Sequence, residues 1–183
     1  MYAVMGATGQ TGSATLAALM EQGERVRAIL RDPANGSGMA ARGVEIAIAG
    51  TDDVAALASA FAGAAAVFVL NPPQPHAPAY LAAARAASEA IAAAITRAGV
   101  PRVVALSSQG AHLAAGTGVV RSLHDFEAAL RRTDARLALI RATYFMENWA
   151  EVLAPARAAG VLPSMLLPLE AAIEMVSVQD IGR

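Results

Sequence analysis

Two hydrophobic periods succeed each other along the chain. Residues 2–5 form a short apolar run of strand type, and behind it Leu16, Leu19 and Met20 recur at helical spacing until Gly23 closes the segment as a helix C-cap. The succession then repeats. A strand is expected at 25–30, a loop dense in turn formers at 31–38, a strand at 44–48, and a helix at 53–61 with Leu57 and Phe61 on one side. Residues 66–70 are apolar throughout, as in a strand covered on both faces. A long alanine-rich helix over 79–98 places Leu81, Ala84, Ser88, Ile91 and Ile95 on one stripe, and Gly99 and Pro101 stop it. A fifth strand at 102–108, a helix at 119–132 and a sixth strand at 136–141 complete the pattern. Such alternation implies an α/β fold with a parallel, doubly wound sheet and helices on both faces.

The first strand opens into three evenly spaced glycines, Gly6, Gly9 and Gly12. Gly6 lets the chain leave the strand in a tight turn. Gly9, without a Cβ, lets a diphosphate approach the backbone, and Gly12 lets the helix lie close to the sheet. The unpaired N–H groups from Gln10 onward then face the phosphate oxygens, with the hydroxyls of Thr8 and Thr11 beside them. A glycine-rich turn with no ligand is the alternative; a strand before and a helix behind point instead to a Rossmann-type dinucleotide turn, spaced GxxGxxG and not GxGxxG.

Composition narrows the alternatives. A length of 183 residues suits one domain, 1–183, and the net charge of −1 argues against nucleic acid or an anionic membrane as the main partner. The absence of cysteine removes disulfides and thiolate chemistry, and no metal-ligand cluster stands out. All 14 basic residues are arginine, so lysine chemistry is excluded. With no signal-like leader and no apolar run of spanning length, the expectation is a cytoplasmic protein.

At the end of the second strand, an arginine accommodates the 2′-phosphate of NADP, whereas a carboxylate accepts from the ribose of NAD. Arg31 stands there and makes NADP(H) the expected preference, the alternative being an ordinary solvated charge at a strand end; Asp32 next door leaves NAD(H) open.

The run GATGQTG after an N-terminal strand resembles the NmrA-like atypical short-chain dehydrogenases/reductases, which bind NAD(P) on a Rossmann fold. The resemblance covers nearly the whole chain and is most specific at 107–112 and 142–149. It implies an adenine contact after Gly50, although Thr51 intervenes before Asp52, and a passage of the nicotinamide-side ribose along Asn71 and Pro72. His76 in that loop reads as a solvent-facing histidine. Ser107 resembles the serine position of short-chain reductases, whose Tyr-x-x-x-Lys pair follows on the next helix. Here Val120 and His124 occupy those two positions.

His124 is therefore the candidate catalytic residue, oriented by Glu127 one helical turn on; equally, it sits at the edge of the face formed by Val119, Leu123, Phe126 and Leu130. The loop 109–118 overhangs the site and brings in His112. Tyr144, Phe145 and Asn148 are the other substrate-side candidates, with core capping by the aromatics as the alternative. The apolar stretch 161–169, broken by Pro163 and Pro168, suits a lid or an interface, and Asp180 is an N-cap with almost no helix after it. Family members continue beyond this point, so the substrate-binding part, starting around 143–183, is expected to be incomplete.

Two functions follow. The first is NAD(P)H-dependent reduction of a quinone or conjugated carbonyl by hydride transfer, which needs a small-molecule substrate. The second is a non-catalytic NADP sensor acting through a protein partner, and a homo-oligomer fits either.

Overall fold

A computed structural model describes residues 1–183 apart from Met165 and Leu169. Six parallel strands form its sheet: β1 (Tyr2–Met5), β2 (Val26–Leu30), β3 (Glu45–Ile48), β4 (Ala66–Leu70), β5 (Arg102–Ser108) and β6 (Arg136–Ala142), in the order β3-β2-β1-β4-β5-β6. The connections are α1 (Gln10–Glu21), a short α2 (Ser37–Ala40), α3 (Val54–Phe61), α4 (Tyr80–Ala98) and α5 (Arg121–Leu130). This is the expected doubly wound Rossmann architecture, and the strand order reverses between β1 and β4.

The two faces of the sheet have separate cores. On one, Leu57 and Phe61 of α3, Ile91 and Ile95 of α4, and Phe126 and Leu130 of α5 meet Val67, Val69 and Val103. On the other, Leu16 of α1 meets Val4, Ala28, Leu30 and Phe68. Adjacent residues of β4 thus serve opposite cores, which is why that segment reads as continuously apolar. The stripe on α4 is buried at Ala84, Ser88, Ile91 and Ile95, but Leu81 in its first turn is 45% exposed. At the end of α4, Gly99 takes φ +63°, the left-handed cap, with Val100 N–H returning to the Ile95 carbonyl.

The end of the chain carries structure with no periodic signature. A strand pair, β7 (Tyr144–Phe145) with β8 (Met175–Val176), ties the segment after β6 to the last residues. Between them runs α6 (Asn148–Ala159), in which no residue is buried. A last helix, α7 (Val178–Gly182), lies on α1. A Cβ on Gly182 would stand 2.6 Å from the Ala14 carbonyl carbon, so only glycine allows this approach. The N-cap of α7 is Ser177, not Asp180: Ser177 Oγ accepts from Asp180 N–H at 3.1 Å and donates to Asp180 Oδ2 at 2.8 Å. Of the apolar stretch 161–169, Met165 and Leu169 lie outside the described residues, while Val161, Leu162 and Leu167 are exposed. No helix among the described residues is long and apolar enough to cross a membrane.

Candidate functional site: a cleft along the strand ends

The carboxyl ends of the strands frame a cleft of about 1290 Å³, located where ligands bind in open α/β sheets. Its centre is the glycine turn. Gly6 has φ +68°, and Gly9 N–H closes the turn onto the Gly6 carbonyl at 2.9 Å. Gly9 is the N-cap of α1 and contributes no side-chain cap, and no acidic residue stands in the helix's first turn. The first N–H groups of α1 therefore have no acceptor of their own and carry the positive end of the helix dipole into the cleft.

The glycines have different tasks. A Cβ on Gly9 would meet only the Gly6 carbonyl oxygen, at 3.3 Å, so the space above it belongs to the cleft. A Cβ on Gly12 would lie 2.6 Å from the Gly6 carbonyl carbon and closer still to its oxygen. Gly12 is therefore demanded by the packing of the helix on the turn, and it does not line the cleft.

Thirteen of the residues singled out from sequence come together here. Gly6, Thr8, Gly9, Gln10 and Thr11 line the centre, Arg31 and Asp52 one end, Asn71 and Pro72 the far side of β1, and Ser107, Tyr144, Phe145 and Asn148 the other end. At the Arg31 end, Asp52 folds back over Gly50, its Oδ1 lying where a Cβ on Gly50 would stand. None of the ion pairs among the described residues involves Arg31. Asp32 is turned away, its carboxylate accepting from Ala34 N–H at 2.9 Å to cap the short helical turn Pro33–Asn35. Across the sheet, Asn71 Nδ2 donates to the Ala84 carbonyl and to Ser88 Oγ, both at 3.1 Å, which leaves its buried Oδ1 without a partner.

The histidines stand elsewhere. Neither His112 nor His124 lines the cleft. His124 Nδ1 lies 2.9 Å from the carbonyl oxygen of Ala111, a buried residue, so the ring fastens the loop 109–113 to α5. Val120 and Leu123 provide the cleft wall on this helix instead. Glu127 does not orient His124 either, because its carboxylate is taken up by other donors.

Those donors form a network the sequence did not announce. Glu127, 4% exposed, accepts from Ser107 Oγ at 2.6 Å, from Arg141 Nε and Nη2 at 2.8 and 2.7 Å, and from Arg131 Nη2 at 3.0 Å. Ser107 and Arg141 face each other in register across β5 and β6, and α5 passes behind both. The Arg141 hydrogen bonds hold the Glu127 carboxyl below the usual carboxylate range against the opposing effect of burial, with Ser107 and Arg131 adding to them. Only the sheet register, not any local spacing, brings Arg141 to Glu127. Val178 also enters the cleft, delivered by α7, whose Val178 N–H donates to Glu147 Oε1 at 3.0 Å.

The cleft thus has the bare N-terminus of α1 at its centre, the Arg31 end beside β2 and the Asn71 and Ser107 end across β1. The chain belongs to the NmrA-like family, whose profile matches residues 2–183. Among solved structures it is similar to a triphenylmethane reductase of Citrobacter sp. complexed with NADP(H), at 21% identity and TM-score 0.83 over 99% of this chain and 62% of that one. It is also similar to an NADPH-dependent quinone oxidoreductase of Escherichia coli complexed with NADPH, at 25% identity and TM-score 0.76 over 87% of this chain and 55% of that one. A short-chain dehydrogenase/reductase superfamily protein of Agrobacterium tumefaciens with bound NAD matches at 23% identity and TM-score 0.68 over 87% of this chain and 54% of that one. The chain thus spans a little over half to about three fifths of the length of these proteins. No curated protein matches it.

Proposed function

We propose that the cleft holds a nicotinamide dinucleotide, NADP(H) in preference to NAD(H), for the reduction of a quinone or conjugated carbonyl. The carrying observation is the bare N-terminus of α1 above Gly9, which offers N–H groups and empty space where a pyrophosphate fits. Arg31 would meet the 2′-phosphate, Asp52 the adenosine side, and Asn71, Pro72 and Ser107 the nicotinamide side. Bound there, the cofactor supplies a hydride. Tyr144, Phe145 and Asn148, with Val120 and Leu123, make a largely apolar wall suited to a flat acceptor, and the 6.0 Å tilted contact between Tyr144 and Trp149 steadies it. The quinone oxidoreductase among the similar structures supports the substrate class. Steady-state NADPH oxidation with a panel of quinones tests the activity; no oxidation with any of them refutes it.

Valine at position 120 and the absence of lysine favour a second reading, an NADP sensor that binds the cofactor and passes its state to a protein partner. NADPH binding seen by calorimetry, with no turnover in the quinone assay, selects it.

The 2′-phosphate assignment has its own test. Because Asp32 is committed to its cap and Arg31 has no carboxylate partner among the described residues, Arg31→Ala is expected to weaken NADPH roughly ten- to a hundredfold while leaving NADH nearly unchanged. Calorimetric titrations of both nucleotides check it, and an equal loss for the two would make Arg31 structural.

A further inference from the structure

Ser107 stands at the carboxyl end of β5, 3% exposed, on the wall of the cleft. Its neighbour in the bond to Glu127 decides what it can offer a ligand. A carboxylate has about four lone-pair sites, and Glu127 fills its own with Ser107, two nitrogens of Arg141 and one of Arg131. Facing two guanidinium groups, Glu127 is ionised and can only accept, so the hydrogen in the 2.6 Å contact belongs to Ser107. The hydroxyl hydrogen thus points back toward α5. What remains for the cleft is the oxygen's lone pairs. Ser108 does not replace the lost donor, because its own Oγ donates to the Gln109 carbonyl at 3.1 Å.

We infer that Glu127, clamped by Arg141, is a positioning residue that fixes Ser107 as a hydrogen-bond acceptor, so that this end of the cleft selects an N–H or O–H donor of its ligand over a carbonyl oxygen. This rests on the dinucleotide reading above. β5 lies two strands from β1 on the side away from Arg31, so the half of the dinucleotide beyond the pyrophosphate reaches Ser107. That half has two kinds of donor, the carboxamide N–H groups and the ribose hydroxyls.

Two analogues separate the donors. In 3-acetylpyridine adenine dinucleotide phosphate a methyl group replaces the amide nitrogen and the carbonyl stays; in the second analogue the nicotinamide-side ribose lacks both of its hydroxyls. Calorimetric titration of wild type with NADP⁺ and both analogues is expected to show one of them bound roughly three- to tenfold more weakly, the scale of one lost hydrogen bond, and the weaker one identifies the donor. Ser107→Ala, which leaves Glu127 its arginines, should bring the ratio near one. Glu127→Gln should shrink it as well, whereas a merely structural Glu127 would lower the melting temperature and leave the ratio unchanged. Arg141→Lys, which keeps a cation but loses the bidentate clamp, reads the same ratio if the glutamine variant does not fold. Equal binding of NADP⁺ and both analogues by wild type, or a penalty that persists in Ser107→Ala, overturns the inference while sparing the dinucleotide reading. Failure of wild type to bind NADP⁺ or NAD⁺ overturns both.

Discussion

Gly9→Val is expected to yield a folded protein that no longer binds a dinucleotide. The backbone there, φ −84° and ψ 171°, is open to any residue, and a Cβ would press only on the Gly6 carbonyl oxygen at 3.3 Å. The fold therefore loses about 1 kcal/mol, from a poorer N-cap. The two γ-methyl groups, in contrast, enter the space above the first N–H groups of α1, where the phosphate oxygens must come within hydrogen-bond distance. Calorimetry should show at least a hundredfold loss of affinity at an unchanged far-UV circular dichroism spectrum. Gly12→Ala is the control with the opposite outcome. Its Cβ meets the backbone of Gly6, which cannot swing aside, so about 3 kcal/mol of stability is lost and binding falls with it.

The second large effect is on stability. Glu127→Ala removes the carboxylate that joins β5, β6 and α5, and leaves Arg141, Arg131 and Ser107 without their common acceptor. Removing one partner of a fully buried pair costs 3–5 kcal/mol; with both arginines partly open to water, about 3 kcal/mol is expected in urea denaturation. The same group sets a pH dependence. The Arg141 hydrogen bonds hold its folded-state pKa below the ordinary carboxylate value, so its contribution is complete above that value and is lost as the pH falls through the lower folded one. Wild type should therefore lose more stability than Glu127→Ala between about pH 5 and pH 3. Parallel pH profiles for the two would show that the carboxylate contributes nothing in the folded state.

The six strands and the glycine turn were legible in the sequence because each carries a local signal: continuous apolar runs where both faces are covered, helical spacing between them, and glycines where backbone meets backbone. What stayed hidden depends on contacts between distant residues. The two-residue strands β7 and β8 have no period to read, and α7 exists because Gly182 lets it rest on α1. His124 illustrates the limit within one helix. Spacing put it on the right turn of α5, but only the path of the loop shows Ala111 closing over its ring while Val120 and Leu123 take the cleft wall. Glu127 lay in view beside it, yet its partner Arg141 comes from the next strand through register alone. Leu81 shows the converse, a helical stripe that runs one turn beyond the surface it packs on.

In the proposed function the bare N-terminus of α1 and Arg31 together hold a dinucleotide carrying a 2′-phosphate. Calorimetric titration of the wild-type chain with NADPH and NADH tests it most directly. One molecule of NADPH is expected to bind per chain, at least tenfold more tightly than NADH, with the preference erased in Arg31→Ala and binding of both erased in Gly9→Val. Binding of neither nucleotide to the folded wild-type chain, or undiminished binding to Gly9→Val, contradicts it.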